Sequence, residues 1–185
     1  MVFTVSKVRY CDRRQYTIDE NGTRNRFKAT YYYTQRFGIV WDKLFFLGGA
    51  NFLYLIAVYI LICQSRYTTF VYGMTLGWLA TIGISGGAHR LWAHKAFKVV
   101  RPLEWSMMIF QTLCAQDSIY QWAYDHRLHH KWSDTDSDPY NPYRGVLFAH
   151  IGWLVHDRHP EMTLKKNSVD MSDLDTNEVV MFQRR

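Results

Sequence analysis

LFFLGGANFLYLIAVYILIC, residues 44–63, is a run of twenty residues without a charge. After three intervening residues, YTTFVYGMTLGWLATIGISGGA, residues 67–88, repeats the pattern over twenty-two. An α-helix rises about 1.5 Å per residue, so each run is long enough to cross a hydrocarbon layer of about 30 Å. Gln64, Ser65 and Arg66 supply a short polar turn between them. A buried hairpin of a soluble protein would carry a periodic polar face, and neither run has one. The pair is therefore expected to be a two-span transmembrane hairpin within an all-α integral membrane protein. Gly73 and Gly77 form a GxxxG pattern in the second run. That spacing serves either close packing against another span of the same molecule, the favoured expectation, or a helix dimer.

The bulk composition hides this organisation. The chain has 185 residues, 22 basic and 16 acidic side chains, 48% apolar residues and 21% charged, with a slightly negative mean hydropathy of −0.25. These values exclude a disordered chain, a collagen and a disulfide scaffold. The charge is segregated, however, and residues 44–88 carry only Arg66. Three regions follow: a basic N-terminal arm over 1–43 with net charge +5, two spans over 44–88, and a neutral histidine-bearing region over 89–185. Arg24, Arg26, Lys28, Arg36 and Lys43 precede the first span, and Arg90, Lys95, Lys98 and Arg101 follow the second. The positive-inside rule places both flanks in the cytosol. A basic flank beside a span faces anionic headgroups, so no nucleic-acid partner is inferred. The first fifteen residues lack the apolar core of a cleavable signal, leaving the first span as the insertion signal. Cys11, Cys63 and Cys114 are odd in number and widely separated, as expected of a reducing compartment without a cysteine metal site.

All eight histidines lie between His89 and His159. His126, His129 and His130 form an HxxHH box, and on an α-helix they fall within an arc of about 100°, pointing one way. Converging neutral imidazoles favour first-row transition metals such as iron, zinc, copper or nickel over calcium or magnesium. The competing reading is a surface cluster that binds zinc adventitiously. His89 and His94 are separated by five positions, which turns them about 140° apart on an α-helix. Either the helix unwinds, for which Gly86 and Gly87 just upstream supply irregular backbone, or the two histidines serve two metal ions. His150, His156 and His159 show no common face and read as supporting or surface groups. Asp134, Asp136 and Asp138 imitate the start of a calcium loop, but Pro139 and Gly145 stand where the loop needs Gly and Glu. The two proline-containing turns of DPYNP make this a rigid connector, and its acids are expected to orient ligating histidines. Residues 103–122, apolar but interrupted by Glu104, Gln111, Gln116 and Asp117, read as an amphipathic interfacial helix.

The strings GAHRLWAHKAFK (87–98), DHRLHHKWSDTDSDPYNPYRG (125–145), FAHIGWL (148–154), RHPEM (158–162) and DMSDLDTNEVVMFQRR (170–185) resemble the acyl-CoA Δ9, or stearoyl-CoA type, desaturases, with an insect-like character. The likeness runs from about residue 40 to residue 185. It implies half of a four-span fold of the endoplasmic reticulum, multi-pass, with the N-terminus and histidine boxes in a cytosolic layer. It further implies two iron ions, a fatty acyl-CoA substrate, O₂, electrons from cytochrome b5, and insertion of a cis double bond. His89, His94, His126, His129 and His130 match metal ligands of the family, and no separate catalytic side chain is implied. Trp122 falls near the acyl tunnel, while Asp125 and Arg158 fall at positions associated with substrate.

Departures from the family pattern accompany the likeness. Tyr124 stands where the family has Arg before the second box, Asp157 interrupts an Arg-Lys pair of which Arg158 keeps the charge, and Tyr140 replaces a common His. The family's third HxxHH box has no counterpart up to Arg185, so a truncated gene model, a short splice form or a partial copy is expected, inactive by itself. Two alternatives accompany the desaturase reading. One is a related histidine-box membrane hydroxylase, and the other is a non-catalytic membrane protein that pairs with or regulates a complete desaturase.

Overall fold

The computed structural model describes residues 26–185. The rest of the basic arm, with Arg24 and Cys11, lies outside the described residues. The described residues are helical, without a β-strand; one isolated antiparallel bridge joins Ile39 and His156. In order, the principal helices are α1 (Arg26–Phe37), α2 (Trp41–Cys63), α3 (Tyr67–Ile82), a π-helical segment (Gly83–Ala93), α4 (Arg101–Leu113) and α5 (Ile119–Trp132). The short helices α6 (Trp153–Val155), α7 (Pro160–Leu164), α8 (Ser172–Asp175) and α9 (Glu178–Arg184) follow. The chain divides into two compact units, one of residues 1–44 with 132–166 and the other of residues 45–131 with 167–185.

In the second unit, α2 is long and apolar enough to cross a membrane, and none of its residues is buried against protein. At about 1.5 Å per residue its 23 residues reach about 35 Å. The other apolar run differs from expectation. It keeps α geometry for 16 residues, ending at Ile82, and its remainder becomes the π-helical segment, which buries Gly83, Gly87, Ala88, Trp92 and Ala93. Backbone proximity marks the point of change. A Cβ on Gly83 would lie 2.2 Å from the amide nitrogen of Gln111 and 2.3 Å from the carbonyl carbon of Phe110, so only glycine admits α4 at this depth. Cys114 adds a bond from its thiol to the carbonyl of Ala80 at 2.9 Å. Of the GxxxG pair, Gly73 faces Leu61 of α2, whereas a Cβ on Gly77 would meet nothing within 4 Å. The first glycine thus serves packing within the chain.

The expected interfacial helix over 103–122 is two helices. Ala115 and Asp117 adopt left-handed backbone, with φ of 51° and 63°, and Ser118 then starts α5 by accepting a hydrogen bond from the Gln121 amide at 3.2 Å. Below the break, Trp92, Ala93, Met108, Ile119, Ala123, Met171, Leu174, Val179 and Val180 form the core. Residues from α8 and α9 therefore support the same core as α4 and α5. Asn177 caps α9 through the amides of Val179 and Val180 and also donates to Glu104 at 2.6 Å.

The first unit is organised by Arg144, which is 1% exposed. Its guanidinium pairs with Asp136 at 3.5 Å, donates to the carbonyls of Asp136 and Asp138, and lies over the rings of Tyr33 and Phe148. Burial is the main influence raising the Tyr33 phenol to about 12 against the lowering effect of Arg144. Asp138 accepts the amides of Asp134 and Tyr140, so Asp138 braces this turn while Asp136 pairs with Arg144.

Replacing Gly83 with Ala should destabilise the second unit by about 1–3 kcal/mol through overpacking against α4, while Gly77→Ala changes little. Thermal unfolding of both variants in detergent checks this; equal melting temperatures would refute the close-approach argument.

Candidate metal centre

His89 lies in the π-helical segment and His94 caps its C-terminal end, where the amide of His94 donates to the carbonyl of His89 at 2.9 Å, an i→i+5 bond. A π-helix turns by roughly 80° per residue instead of 100°, so five residues return the second side chain to within roughly 40° of the first. The α-helical estimate, which sent the pair about 140° apart, is thereby corrected. Their ring centroids are 4.7 Å apart.

The second pair comes from α5, where His126 and His130 are one turn apart and meet edge to face at a centroid distance of 4.6 Å. The Nε2 atoms of His94 and His126 are 3.0 Å apart, and those of His130 and His126 are 3.1 Å apart. One nitrogen from each of His89, His94, His126 and His130 lies within 4.8 Å of all the others. A four-coordinate ion with bonds of about 2.0–2.1 Å spaces nitrogen ligands by roughly 3.4 Å. The four imidazoles therefore fit one transition-metal ion in spacing and in donor chemistry. His129 does not join this group. It lies one residue off the common direction, with centroids 6.2 Å from His126 and 5.5 Å from His130.

Burial first, and then the neighbouring imidazoles of His130, His89, His94 and His129, pushes His126 down from 6.5 to about 3. His94 is lowered in the same sense, by burial and then by His130 and His89. Both rings are neutral at neutral pH, the state in which imidazole ligates metals. Trp122 stacks on His126 with centroids 4.9 Å apart and planes 25° apart, which fixes the tilt of that ring.

The remaining sequence candidates divide by position. Asp125 is buried and accepts from Gln121 Nε2 at 3.1 Å. Arg158 is exposed just before α7, in the first unit. His150 is exposed, whereas His156 and His159 are buried structural groups. His156 bonds to Thr34 Oγ1 at 2.7 Å and to the Gly152 carbonyl, while His159 Nδ1 accepts the amide of Glu161. Sequence reasoning overlooked Arg127 and Asp173, which form an ion pair of 2.8 Å beginning one residue from His126. No spacing rule singles out these two residues, because they lie 46 positions apart.

An acyl-CoA Delta12-desaturase of Acheta domesticus is 44% identical over 152 residues, covering 81% of this chain and 42% of its own length. An acyl-CoA Delta-9 desaturase of the same insect is 40% identical over 147 residues, covering 80% and 41%. An acyl-CoA Delta(11) desaturase of Choristoneura rosaceana is 37% identical over 151 residues, covering 82% and 45%. No family model matches the chain. The chain thus spans less than half the length of these curated relatives, and over that span its sequence belongs with the acyl-CoA desaturases.

Proposed function

We propose that this chain supplies one histidine-bearing half of a membrane acyl-CoA desaturase that inserts a cis double bond, at Δ9, into a fatty acyl-CoA. The observation that carries the reading is the convergence of four imidazoles from two separate helical segments, within 4.8 Å of one another. Membrane attachment in this reading rests on α2 and α3 as a two-span hairpin, with the N-terminal arm and the histidines on the cytosolic side of the endoplasmic reticulum. A metal bound there, assigned here as iron, supplies the O₂-dependent oxidation that an unactivated methylene requires, with electrons from cytochrome b5. The chain's own residues do the holding. His89, His94, His126 and His130 present neutral nitrogens, Trp122 fixes the plane of His126 and borders the acyl chain, and Asp125 and Arg158 serve the substrate. His129 is assigned to the second ion of a two-iron centre, to which ligands beyond these five must contribute. The five histidines alone are too few for that centre, so the 185-residue chain is proposed to be inactive by itself.

Purified 185-residue protein in detergent should bind close to one equivalent of Fe²⁺ or Co²⁺, and His126→Ala should abolish that uptake while leaving membrane insertion intact. Metal analysis and membrane fractionation test this, and undiminished uptake by His126→Ala would sink the ligand assignment. No unsaturated product is expected from this chain with stearoyl-CoA, O₂ and reduced cytochrome b5; gas chromatography showing one would refute the claim of inactivity.

The metal-free chain also has a predicted pH response. His126 titrates near 6.5 when unfolded and near 3 when folded. Between those values the unfolded state binds more protons, so stability falls as pH drops below about 6.5. Melting temperatures of the metal-free protein from pH 7 to pH 4 should decline, with a shallower decline in His126→Gln. An equal slope in the variant would contradict the assignment of this response to His126.

A further inference from the structure

Arg127 lies between the metal-ligand candidates His126 and His130 on α5, but its side chain is only 11% exposed and points away from bulk water. All five guanidinium hydrogens have an acceptor. Nε donates to the Ala93 carbonyl at 3.2 Å. One terminal nitrogen donates to the Asp170 carbonyl at 2.6 Å and Asp173 Oδ1 at 2.8 Å. The other donates to the Trp92 carbonyl at 2.6 Å and Asp173 Oδ2 at 2.8 Å. Trp92 and Ala93 end the π-helical segment, where backbone carbonyls have run out of helical partners. The next residue is His94. Asp173 also receives Lys95 Nζ at 3.1 Å, from the residue immediately after His94, which itself has left-handed backbone with φ of 53°.

We propose that Arg127, oriented by the Asp173 carboxylate, is the positioning residue that sets the separation of His94 from His126 and so holds the metal site together. The geometry is specific to arginine. Two parallel bonds to one carboxylate leave three further hydrogens directed at carbonyls from two other chain segments, and lysine has neither the fork nor enough donors for that arrangement. One bonded unit therefore joins the end of the His89–His94 turn, the middle of α5 and the turn at α8. The segment that carries Asp173 consequently belongs to the frame of the metal centre, although it contributes no histidine. Partners of this kind, one bond removed from ligands, commonly change metal affinity by about 10–100-fold when lost.

The inference rests on the metal-site reading above, and Co²⁺ separates the two. Its visible bands report ligand number and geometry without requiring turnover. The full 185-residue chain in detergent is titrated with Co²⁺ alongside Arg127→Lys, Arg127→Gln, Asp173→Asn and Val179→Ala. Val179 is fully buried in the same core and takes part in none of the guanidinium's hydrogen bonds, so its truncation provides a variant that lowers stability without removing one of them. Wild type should bind Co²⁺, and Val179→Ala should lose melting temperature while keeping the wild-type spectrum and affinity. Arg127→Lys and Arg127→Gln should weaken binding by about 10–100-fold and shift the bands, and Asp173→Asn should shift them in the same direction. Wild-type spectra and affinity in both Arg127 variants would overturn the positioning role alone. Spectral change of equal size in Val179→Ala would overturn it as well, by reducing it to general destabilisation. A wild-type chain that takes up no Co²⁺ would overturn the metal site and this inference with it.

Discussion

An α-helix through residues 89–94 would send His89 and His94 about 140° apart, and no rotamer would bring both to one ion held from α5. The i→i+5 bond from His94 to His89 removes that obstacle by widening the turn. At the start of the same segment Gly83 lets α4 press backbone against backbone. Helical order continues from α3 into the π segment without a break, so the histidines hang from a rigid element and not from a loop. π-Helical turns are uncommon and cluster at functional positions, since a wide turn is less favourable than an α-turn and persists only where surrounding packing holds it. Here the holding groups are α4 on one side and the Arg127 guanidinium at the C-terminal end.

The same continuity explains why the two apolar runs have different fates. No residue of α2 is buried among the described residues, and most of its phenylalanines and leucines are largely exposed. In water such a surface would be an extensive uncovered patch, whereas in a bilayer the hydrocarbon chains cover it and the helix satisfies its own backbone. α3 is likewise unburied, but it feeds directly into residues that are buried. One continuous helical rod thus passes from an apolar surface into a packed polar layer. The four histidines lie at the far end of that passage.

Much of this was legible in the sequence, for physical reasons that also explain the failures. The apolar runs and the HxxHH box are local patterns: length and a 3.6-residue period determine them, and α5 realises the predicted convergence of His126 and His130. The His89–His94 pair was recognised as needing non-α backbone to share one ion, yet no periodicity reveals the form of that backbone or the contact of Gly83 with Phe110 and Gln111 at its start. The break at 114–118 was missed because Ala115 and Asp117 carry no turn signal as strong as glycine, although both take left-handed backbone. In the DTDSD stretch Asp136 pairs with Arg144 and Asp138 accepts two amides of its own turn, contacts that the failed calcium spacing does not specify. Arg127 and Asp173 escaped notice because an ion pair across 46 positions leaves no local trace.

Arg127 and Arg144 represent one solution applied in two places. Each unit contains a guanidinium almost removed from water, bonded to backbone carbonyls from irregular segments and paired with one carboxylate. Isolated buried charge is costly, and fixed acceptors offset that cost at every guanidinium nitrogen of Arg127 and at the two terminal nitrogens of Arg144. Such an arrangement is useful where a layer cannot rely on a large apolar core. One face of the histidine layer is occupied by imidazoles whose nitrogens must converge without touching, and apolar side chains could not impose that spacing because their contacts are non-directional. Directional bonds from a planar cation can impose it, and the side chain between His126 and His130 is accordingly an arginine turned inward and not another surface residue.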